Sequence, residues 1–394
     1  MVLKSVVPPG ISESGLLSSV ESKLGRPLNP NQLSADQSRI RQYLRNRGYA
    51  YATAEVTYRK LGERTAMAEI SITPGKLTYF GEVKFSGLNL TREGVVSREM
   101  TFEKGQPFDA SKITRSREEL YKTRLLTVVG FEPLNYSSRP ETLDYRITLV
   151  ESPPREFELS VGAGSDVEYD LTSEVTAGWS HHNLFGTSRE FSAQASSEWK
   201  IITDWSNLKN RLELSYTEPY NFGREVPITI NPYYEPGNSK KIPQYTIQLL
   251  GVDISVSQEP SRYLSHVLYF TYERADIYDI EDPDLQEEIF AENDQLFTRK
   301  AGYSLTNDRR DNILVPTAGS YFSGRAEMAG YFLGGDLSYT RLILDYRRYI
   351  NFRAKYVLAG RIRTAAIGNW KEGGNVPPHE KFFLGGANSV RGWP

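Results

Sequence analysis

Apolar residues follow two different periods along this chain, and the change falls near residue 152. Before it, some segments place apolar residues every three or four positions and others every second position, which predicts helices mixed with strands. After Arg155 only the period of two remains, in runs of about ten residues separated by Gly, Pro and Asn. The pattern therefore predicts an α+β region followed by an all-β region.

The α+β region contains one order of elements twice. Each half has two helices followed by two strands, with a further strand opening the second half, and the helix linkers align as Gly25-Arg26-Pro27-Leu28 and Gly105-Gln106-Pro107-Phe108. The predicted helices span about residues 14–24, 33–46, 91–100 and 109–123, and the predicted strands about 52–59, 66–73, 77–86, 125–131 and 142–151. This repeat of roughly 75 residues predicts two similar domains. A single α+β domain is the alternative.

The all-β region alternates most clearly in its first strand, where Phe157, Leu159, Val161 and Ala163 alternate with polar or small residues. Eleven strands are predicted, centred near residues 160, 176, 194, 211, 230, 250, 267, 301, 325, 343 and 360. Between Leu249 and Leu250 the apolar phase slips, which predicts either a bulge or a misplaced strand.

One face of each predicted strand is apolar and the other polar, which is typical of an antiparallel transmembrane β-barrel whose outer face contacts lipid. Charged residues are expected on the inner face, because each would cost about 2–4 kcal/mol facing lipid near the midplane. This group includes Glu156, Glu158, Arg361 and Arg363. A soluble β-sandwich is the alternative, and it would need shorter strands around a continuous inner core.

Composition narrows the function classes. The chain has 25 Tyr, 17 Phe and 31 Gly in 394 residues, which suits a barrel with aromatic residues at both membrane interfaces. Its 47 basic and 49 acidic residues indicate no nucleic-acid binding. There is no Cys for a disulfide or a thiolate nucleophile, and no run of ~20 apolar residues for a membrane-spanning helix.

Candidate catalytic and metal sites are weak. His181 and His182 are adjacent, so on a strand they point to opposite faces and are poor joint ligands. The acidic segment 276–294 lacks the Gly-containing spacing of a dedicated calcium loop. Gly162-Ala163-Gly164 precedes no helix, and the chain has no P-loop or Gly-x-Ser-x-Gly motif. We therefore expect no enzyme activity, no metal and no cofactor.

The end of the sequence carries a specific motif, in which Phe-x-x-Gly-Gly-x-x-Ser precedes Val-Arg-Gly-Trp. It resembles the loop-six signature of the BamA/TamA-type outer-membrane assembly superfamily, which usually ends in Arg-Gly-Tyr or Arg-Gly-Phe. The matching residues are Gly385, Gly386, Ser389, Val390, Arg391, Gly392 and Trp393. Trp393 departs from the usual ending but keeps an aromatic ring.

Further stretches resemble the same superfamily. Asn183-Leu184-Phe185-Gly186 is similar to its first periplasmic turn, and Asp308–Asn312 with Pro316–Gly319 is similar to the turn before a mid-barrel strand. The repeats resemble POTRA domains at Leu44–Tyr49, Ala54, Val56, Phe80–Val83 and Phe85–Gly87. The resemblance covers essentially the whole chain. It implies POTRA repeats at residues 1–75 and 76–152 and a barrel at residues 153–394.

The resemblance also implies how much of the barrel is present. In this superfamily the motif follows strand eleven of sixteen, so about eleven of an expected sixteen strands are present, and the others are expected beyond Pro394 or from a second chain. Arg391 is expected to reach into the lumen and bond an acidic wall residue, a contact worth about 1.5–3 kcal/mol. The family's acidic partner follows the motif, so Arg391 has no assigned partner here.

Finally, the resemblance implies a function. The seam strand, with Phe157, Leu159, Val161, Gly162 and Gly164, is expected to open because its glycines pack weakly, and a client strand then pairs with its edge. This implies an insertion or translocation factor in the outer membrane of a Gram-negative-type cell, with its repeats in the periplasm. The expected partners are the lipid bilayer and unfolded β-rich client proteins, with periplasmic accessory subunits left open. The alternatives are a two-partner-type secretion pore, a passive porin and a soluble β-rich enzyme.

Overall fold

The computed structural model describes residues 2–3, 7–22, 25, 27, 29–62, 65–164, 171–201, 205–239, 246–280, 295–352, 356–369, 376–377 and 380–382. The chain forms two compact units. The N-terminal unit comprises Met1–Pro154 with Phe185–Ser188, and the β unit comprises Arg155–Leu184 and Arg189–Pro394. No described helix is long and apolar enough to cross a membrane.

The first repeat packs two helices against a three-stranded sheet. Its elements are β1 (Val2–Leu3), α1 (Glu13–Ser18), α2 (Pro30–Arg45), β2 (Thr53–Lys60) and β3 (Ala66–Thr73). The sheet order is β1-β3-β2, with β1 parallel to β3. α2 begins at Pro30, where the side chain of Asn29 accepts a hydrogen bond from the amide of Asn31. The fully buried core side chains are Leu16, Ile40, Leu44 and Ile70.

The second repeat has the corresponding sheet order. Its elements are β4 (Tyr79–Ser86), α3 (Glu93–Arg98), α4 (Ala110–Lys122), β5 (Leu126–Pro133) and β6 (Thr142–Glu151). The order is β4-β6-β5, with β4 parallel to β6. α4 begins after Asp109, whose carboxylate accepts a hydrogen bond from the amide of Ser111. The fully buried core side chains include Phe80, Leu120, Leu143 and Ile147.

A buried polar residue occupies an equivalent place in the second helix of each repeat. In α2, the Asp36 carboxylate accepts hydrogen bonds from the amides of Glu21 and Ser22, at 2.9 and 3.1 Å. In α4, the Ser116 hydroxyl accepts one from the amide of Thr101, at 2.9 Å. Each contact fastens the segment after the first helix to the second helix. The predicted repeat of one order of elements is therefore confirmed.

These contacts end α1 earlier than the sequence predicts. The expected helix at residues 14–24 stops at Ser18. The hydroxyls of Ser18 and Ser19 donate to carbonyls of the same helix, at 2.7 and 2.6 Å. The next free amides bind Asp36 instead of continuing the helix. The sequence also misses β1, because two residues are too few to show a period.

The two repeats contact each other directly through tyrosines. The hydroxyl of Tyr51 donates to the carbonyl of Pro140 at 2.9 Å, and the hydroxyl of Tyr136 donates to the carbonyl of Ala50 at 3.2 Å. The two rings lie 5.0 Å apart. Tyr136 begins a short 3-10 helix, Tyr136–Ser138, that the sequence does not predict. The repeats therefore pack as one unit.

Glu151 ties the end of β6 to the segment before α3. Its carboxylate accepts hydrogen bonds from the amides of Asn89, Leu90 and Thr91, at 2.6–3.2 Å. Burial opposes ionisation of this carboxyl group. The hydrogen bonds from the Thr91 side chain and the three amides outweigh burial, so the pKa of Glu151 lies below its usual 4.5.

Replacing Glu151 by alanine should therefore destabilise the second repeat by about 1.5–3 kcal/mol, since amides that bind a charged group lose their partner. Because the folded state lowers the pKa, this stabilisation is present above pH 4.5 and is lost as the pH falls below that value. Hydrogen exchange at residues 89–91 of the intact protein measures the effect. Glu118→Ala, on the exposed side of α4, is the control and should change stability by less than about 0.5 kcal/mol.

In its described residues the β unit contains one antiparallel sheet of eleven strands, each paired with its neighbours along the chain. The strands are β7 (Arg155–Gly164), β8 (Thr172–Leu184), β9 (Arg189–Lys200), β10 (Ser206–Asn221), β11 (Arg224–Ser239), β12 (Thr246–Ser261), β13 (Leu264–Tyr278), β14 (Gln295–Asp308), β15 (Gly319–Ala329), β16 (Tyr339–Phe352) and β17 (Tyr356–Asn369). Every predicted centre falls inside one of them, so the eleven predicted strands are confirmed.

The sheet has a polar face and an apolar face, because alternate residues of each strand lie on the same side. The polar face carries Glu235, Glu273, Lys300, Glu327 and Arg341, and the apolar face carries Phe157, Leu212, Leu250, Leu268 and Leu358. The register confirms the predicted placement of charge on the polar face for Glu156, Glu158, Arg361 and Arg363.

β12 is continuous where the sequence suggests a bulge. Its register with β13 runs without interruption from Thr246 to Gln258, and the irregularity lies instead in β11, where Glu235 to Ser239 oppose Leu249 to Ile247. The apolar phase slips because Leu249 lies on the polar face, next to a local apolar cluster on that face. This cluster contains Ile247, Ala275, Ile277 and Leu296.

Candidate functional site

β7 is an edge strand of the eleven-stranded sheet. It pairs with β8 from Arg155–His181 to Gly164–Thr172, and within the described ranges no second strand pairs with it. The side chains of Phe157, Leu159 and Val161 on its apolar face are 82%, 75% and 72% exposed. One row of backbone N–H and C=O groups along β7 is therefore open to a further strand.

Two glycines weaken this strand, although a larger side chain would fit at either position. A Cβ atom added at Gly162 would lie 4.0 Å from its nearest neighbour, the carbonyl oxygen of Glu174, and one at Gly164 would lie 3.5 Å from the hydroxyl of Thr172. Either position could hold a side chain. Glycine there removes packing against β8 and loosens the pairing of the two strands.

β17 is the opposite edge, and it pairs only with β16 in the part of the sheet that is described. On its polar face the guanidinium of Arg361 binds the carboxylate of Asp345 at 2.7 Å, and Arg347 binds the same carboxylate at 2.9 Å. On its apolar face Leu358 and Ile362 are exposed. Both edges of the sheet thus expose apolar side chains and backbone polar groups together.

The polar face holds two acidic residues, and each of them contacts one tyrosine and one cation from strands β11 to β16. Glu273 accepts a hydrogen bond from the hydroxyl of Tyr233 at 2.5 Å, and the ammonium of Lys300 lies 3.3 Å from its carboxylate. Glu327 accepts a hydrogen bond from Tyr269 at 2.8 Å, and the guanidinium of Arg341 lies 3.4 Å away. All of these charged side chains are nearly buried. A buried charge without a counterion is costly, and here each acid is paired with one cation.

A short segment after β17 joins this cluster. The Glu380 carboxylate, 6% exposed, lies 2.7 Å from the ammonium of Lys300 and also binds Arg341. The carbonyl oxygen of Glu380 accepts a second hydrogen bond from Arg341 at 2.5 Å. Phe382 lies against the same guanidinium, which is 5.6 Å from the centre of its ring.

The motif predicted at the end of the sequence lies outside the described residues. This applies to Gly385, Gly386, Ser389, Val390, Arg391, Gly392 and Trp393, and also to residues 281–294 of the acidic segment. The lumen position of Arg391 and its acidic partner therefore stay predictions. The described residues 380–382, which lead into the motif, are bound to the polar face.

The turn between β14 and β15 is built around one carboxylate. Asp311 accepts hydrogen bonds from the hydroxyl of Thr317 and from the amides of Asn312, Thr317 and Ala318. Led by the Thr317 hydroxyl, these bonds lower the pKa of Asp311 well below its usual range. They connect the two ends of a turn in which Ile313, Leu314 and Val315 are 70–90% exposed.

His181 and His182 occupy different environments. The ring of His181 lies near Trp179, and its Nδ1 accepts a hydrogen bond from the amide of Asn183. The Nε2 of His182 lies 3.4 Å from Glu156, on the polar face. The structure therefore separates the two rings, as the alternation of the strand predicts.

Sequence reasoning missed Lys300, Arg341 and Glu380. They lie on β14, β16 and the segment after β17, so no local pattern connects them. The sequence did contain one signal, because Lys300 and Arg341 occupy polar-face positions inside otherwise regular strands. Such residues are expected to have partners across the sheet.

Family models match both units. The Omp85 superfamily domain matches residues 183–394, and the POTRA model, described as a surface antigen variable number repeat, matches residues 10–75 and 78–141.

Curated relatives are similar over nearly the whole chain. Outer membrane protein assembly factor BamA of Nitratidesulfovibrio vulgaris is 25% identical over 368 residues, which cover 92% of this chain and 44% of the relative. The protein of the same name from Neisseria meningitidis serogroup B is 25% identical over 390 residues, covering 94% and 47%. This chain therefore spans about half the length of these relatives.

Solved structures share the fold. BamA from Haemophilus ducreyi lacking POTRA domains 1–3 has a TM-score of 0.77 at 19% identity, covering 100% of this chain and 74% of that one. CdiB from Escherichia coli has a TM-score of 0.52 at 12% identity, covering 100% and 71%.

Proposed function

Because this chain belongs to the Omp85 superfamily, we propose that it assembles β-rich proteins into the outer membrane. The eleven strands form part of a transmembrane barrel, and the two repeats act in the periplasm. Unfolded client proteins and the lipid bilayer are its partners, and the process requires no covalent step. Its similarity to proteins named outer membrane protein assembly factor BamA supports this proposal.

The exposed apolar face of the sheet is the observation that carries the proposal. On β13 this face carries Leu264, Leu268, Phe270 and Tyr272, with an ion pair between Arg274 and Asp276 at 2.9 Å beyond them. The polar residue among them is His266, whose Nδ1 lies 2.9 Å from the hydroxyl of Tyr303. A large contiguous apolar surface is a liability in water but is the surface that lipid requires. The polar face then lines the lumen, where its ion pairs are out of contact with lipid.

The free edge of β7 supplies the assembly mechanism. In lipid, each unpaired backbone group costs several kcal/mol, so the edges of β7 and β17 need strand partners. A seam that includes β7 opens readily, because Gly162 and Gly164 pack little against β8. A client strand that pairs with β7 satisfies the exposed groups and continues the sheet.

The repeats offer further edges in the periplasm. β2 is an edge strand of the first sheet and β5 is an edge strand of the second. Tyr58 on β2 and Val128 on β5 are 46% and 49% exposed, so an extended client segment would find both backbone partners and apolar contacts there. Because the repeats pack as one unit, these edges are held at a fixed spacing.

Reconstitution tests the function directly. Phospholipid vesicles that contain the natural protein should accelerate folding of a small unfolded client barrel at least about tenfold over empty vesicles. The change in gel mobility of the client on heating measures its folding. Vesicles with an unrelated porin are the matched control, because they hold a barrel without the repeats. Equal folding rates in the two kinds of vesicle would contradict assembly activity, and ion conductance without faster client folding would indicate a passive pore.

A further inference from the structure

We propose that Glu380 is a positioning residue, which fastens the segment before the Gly385–Trp393 motif to the polar face by a releasable ion pair. The proposal rests on the polar face lining a lumen, as described above. Described contacts hold the segment at three residues, one of which is Phe382 against the guanidinium of Arg341. Val376 packs against the apolar cluster around Ile277, and Glu380 binds Lys300 and Arg341 with its carboxylate and Arg341 again with its carbonyl.

The polar face does not depend on Glu380. Glu273 keeps the hydroxyl of Tyr233 and the ammonium of Lys300 when Glu380 is removed. Glu327 keeps Tyr269 and the guanidinium of Arg341 in the same way. In this cluster the two wall acids, Glu273 and Glu327, match the two wall cations, Lys300 and Arg341, so departure of Glu380 leaves each of these four charges with a partner.

Because the wall residues keep their partners without Glu380, the attachment is reversible. Removing one partner of a buried ion pair is usually strongly destabilising because the remaining charge has no counterion. Here the remaining cations stay paired, and Glu380 moves to water, where a carboxylate is well solvated. The segment can therefore leave the wall while the barrel stays intact, which an ordinary buried salt bridge does not allow.

Trypsin cleavage after Lys381 reports this release, because Lys381 is exposed and adjacent to Glu380. In the natural protein reconstituted in vesicles, Glu380→Gln should raise the rate of cleavage after Lys381 about tenfold, as the rate follows the population of the released segment. Glu380→Asp keeps the charge and should restore a rate close to that of the unmodified protein. Mass spectrometry identifies the cleavage site.

Glu213→Gln is the matched control, since Glu213 is a polar-face carboxylate whose partner Arg211 lies on the same strand, β10, which carries none of the residues that bind Glu380. It should leave the cleavage rate unchanged. The temperature at which the barrel unfolds on a gel should stay constant for Glu380→Gln but fall for Glu327→Gln. An unchanged cleavage rate for Glu380→Gln, or a fall in its unfolding temperature, would overturn the proposal. No client is present, so the result stands whether or not the protein assembles clients.

Discussion

Replacing Leu268 by arginine should destabilise the β unit in lipid by about 2–4 kcal/mol. Leu268 is 58% exposed and lies midway between Leu264 and Tyr272 on the apolar face of β13. An arginine that faces lipid near the midplane costs about 2–4 kcal/mol. This is a large part of the ~5–15 kcal/mol that stabilises a typical domain. The urea concentration at the midpoint of folding into vesicles measures the loss.

Val267→Arg provides the control for this experiment, because Val267 is the adjacent residue on the opposite, polar face. Its side chain lies beside Ser257 and Ser304, so an arginine there should change the midpoint much less. A sheet packed as a soluble sandwich would give the opposite order or equal losses. The ratio of the two effects therefore tests the assignment of the faces, independently of any assembly activity.

The period of two was sufficient to locate every strand of the β unit, because alternation is a local property of a sheet with two unlike faces. The same argument placed Glu156 and Arg361 correctly. It failed between Leu249 and Leu250, where apolar side chains also occupy the polar face. The residues there are apolar because they pack on one another near Ile277, and only the strand pairing shows which residues meet.

The other differences have the same non-local origin. α1 ends at Ser18 because Asp36, in another helix, takes the amides that would have continued it. Glu380 was overlooked because its partners stand on β14 and β16, far away in sequence. Periodicity predicts which face a residue occupies, but it contains no information about which charges on that face become neighbours. The resemblance of the motif supplied the family, and the position of Arg391 stays a prediction.

Proline substitutions in β7 should distinguish the role of the edge that pairs with β8 from the role of the free edge. Neighbouring residues of a strand direct their N–H groups to opposite sides, so of Ser160 and Val161 one donates towards β8 and the other towards the free edge. Proline at the first kind of position should weaken the β7–β8 pairing and lower the unfolding temperature of the barrel. Proline at the second kind removes no hydrogen bond to β8, and edge strands tolerate it.

The variant with proline on the free-edge side of β7 gives the decisive result. With its barrel as stable as the unmodified protein, it should still fold a client barrel about tenfold more slowly, because the client strand loses a backbone donor in lipid, where each unsatisfied group costs several kcal/mol. Unfolding temperature identifies which of Ser160→Pro and Val161→Pro this is, and the vesicle assay measures the folding rate. If the stable variant assembles clients at the normal rate, β7 is not the strand that templates them. The exposed edge would then have to be closed by a permanent partner, because lipid does not tolerate an unpaired row of backbone groups.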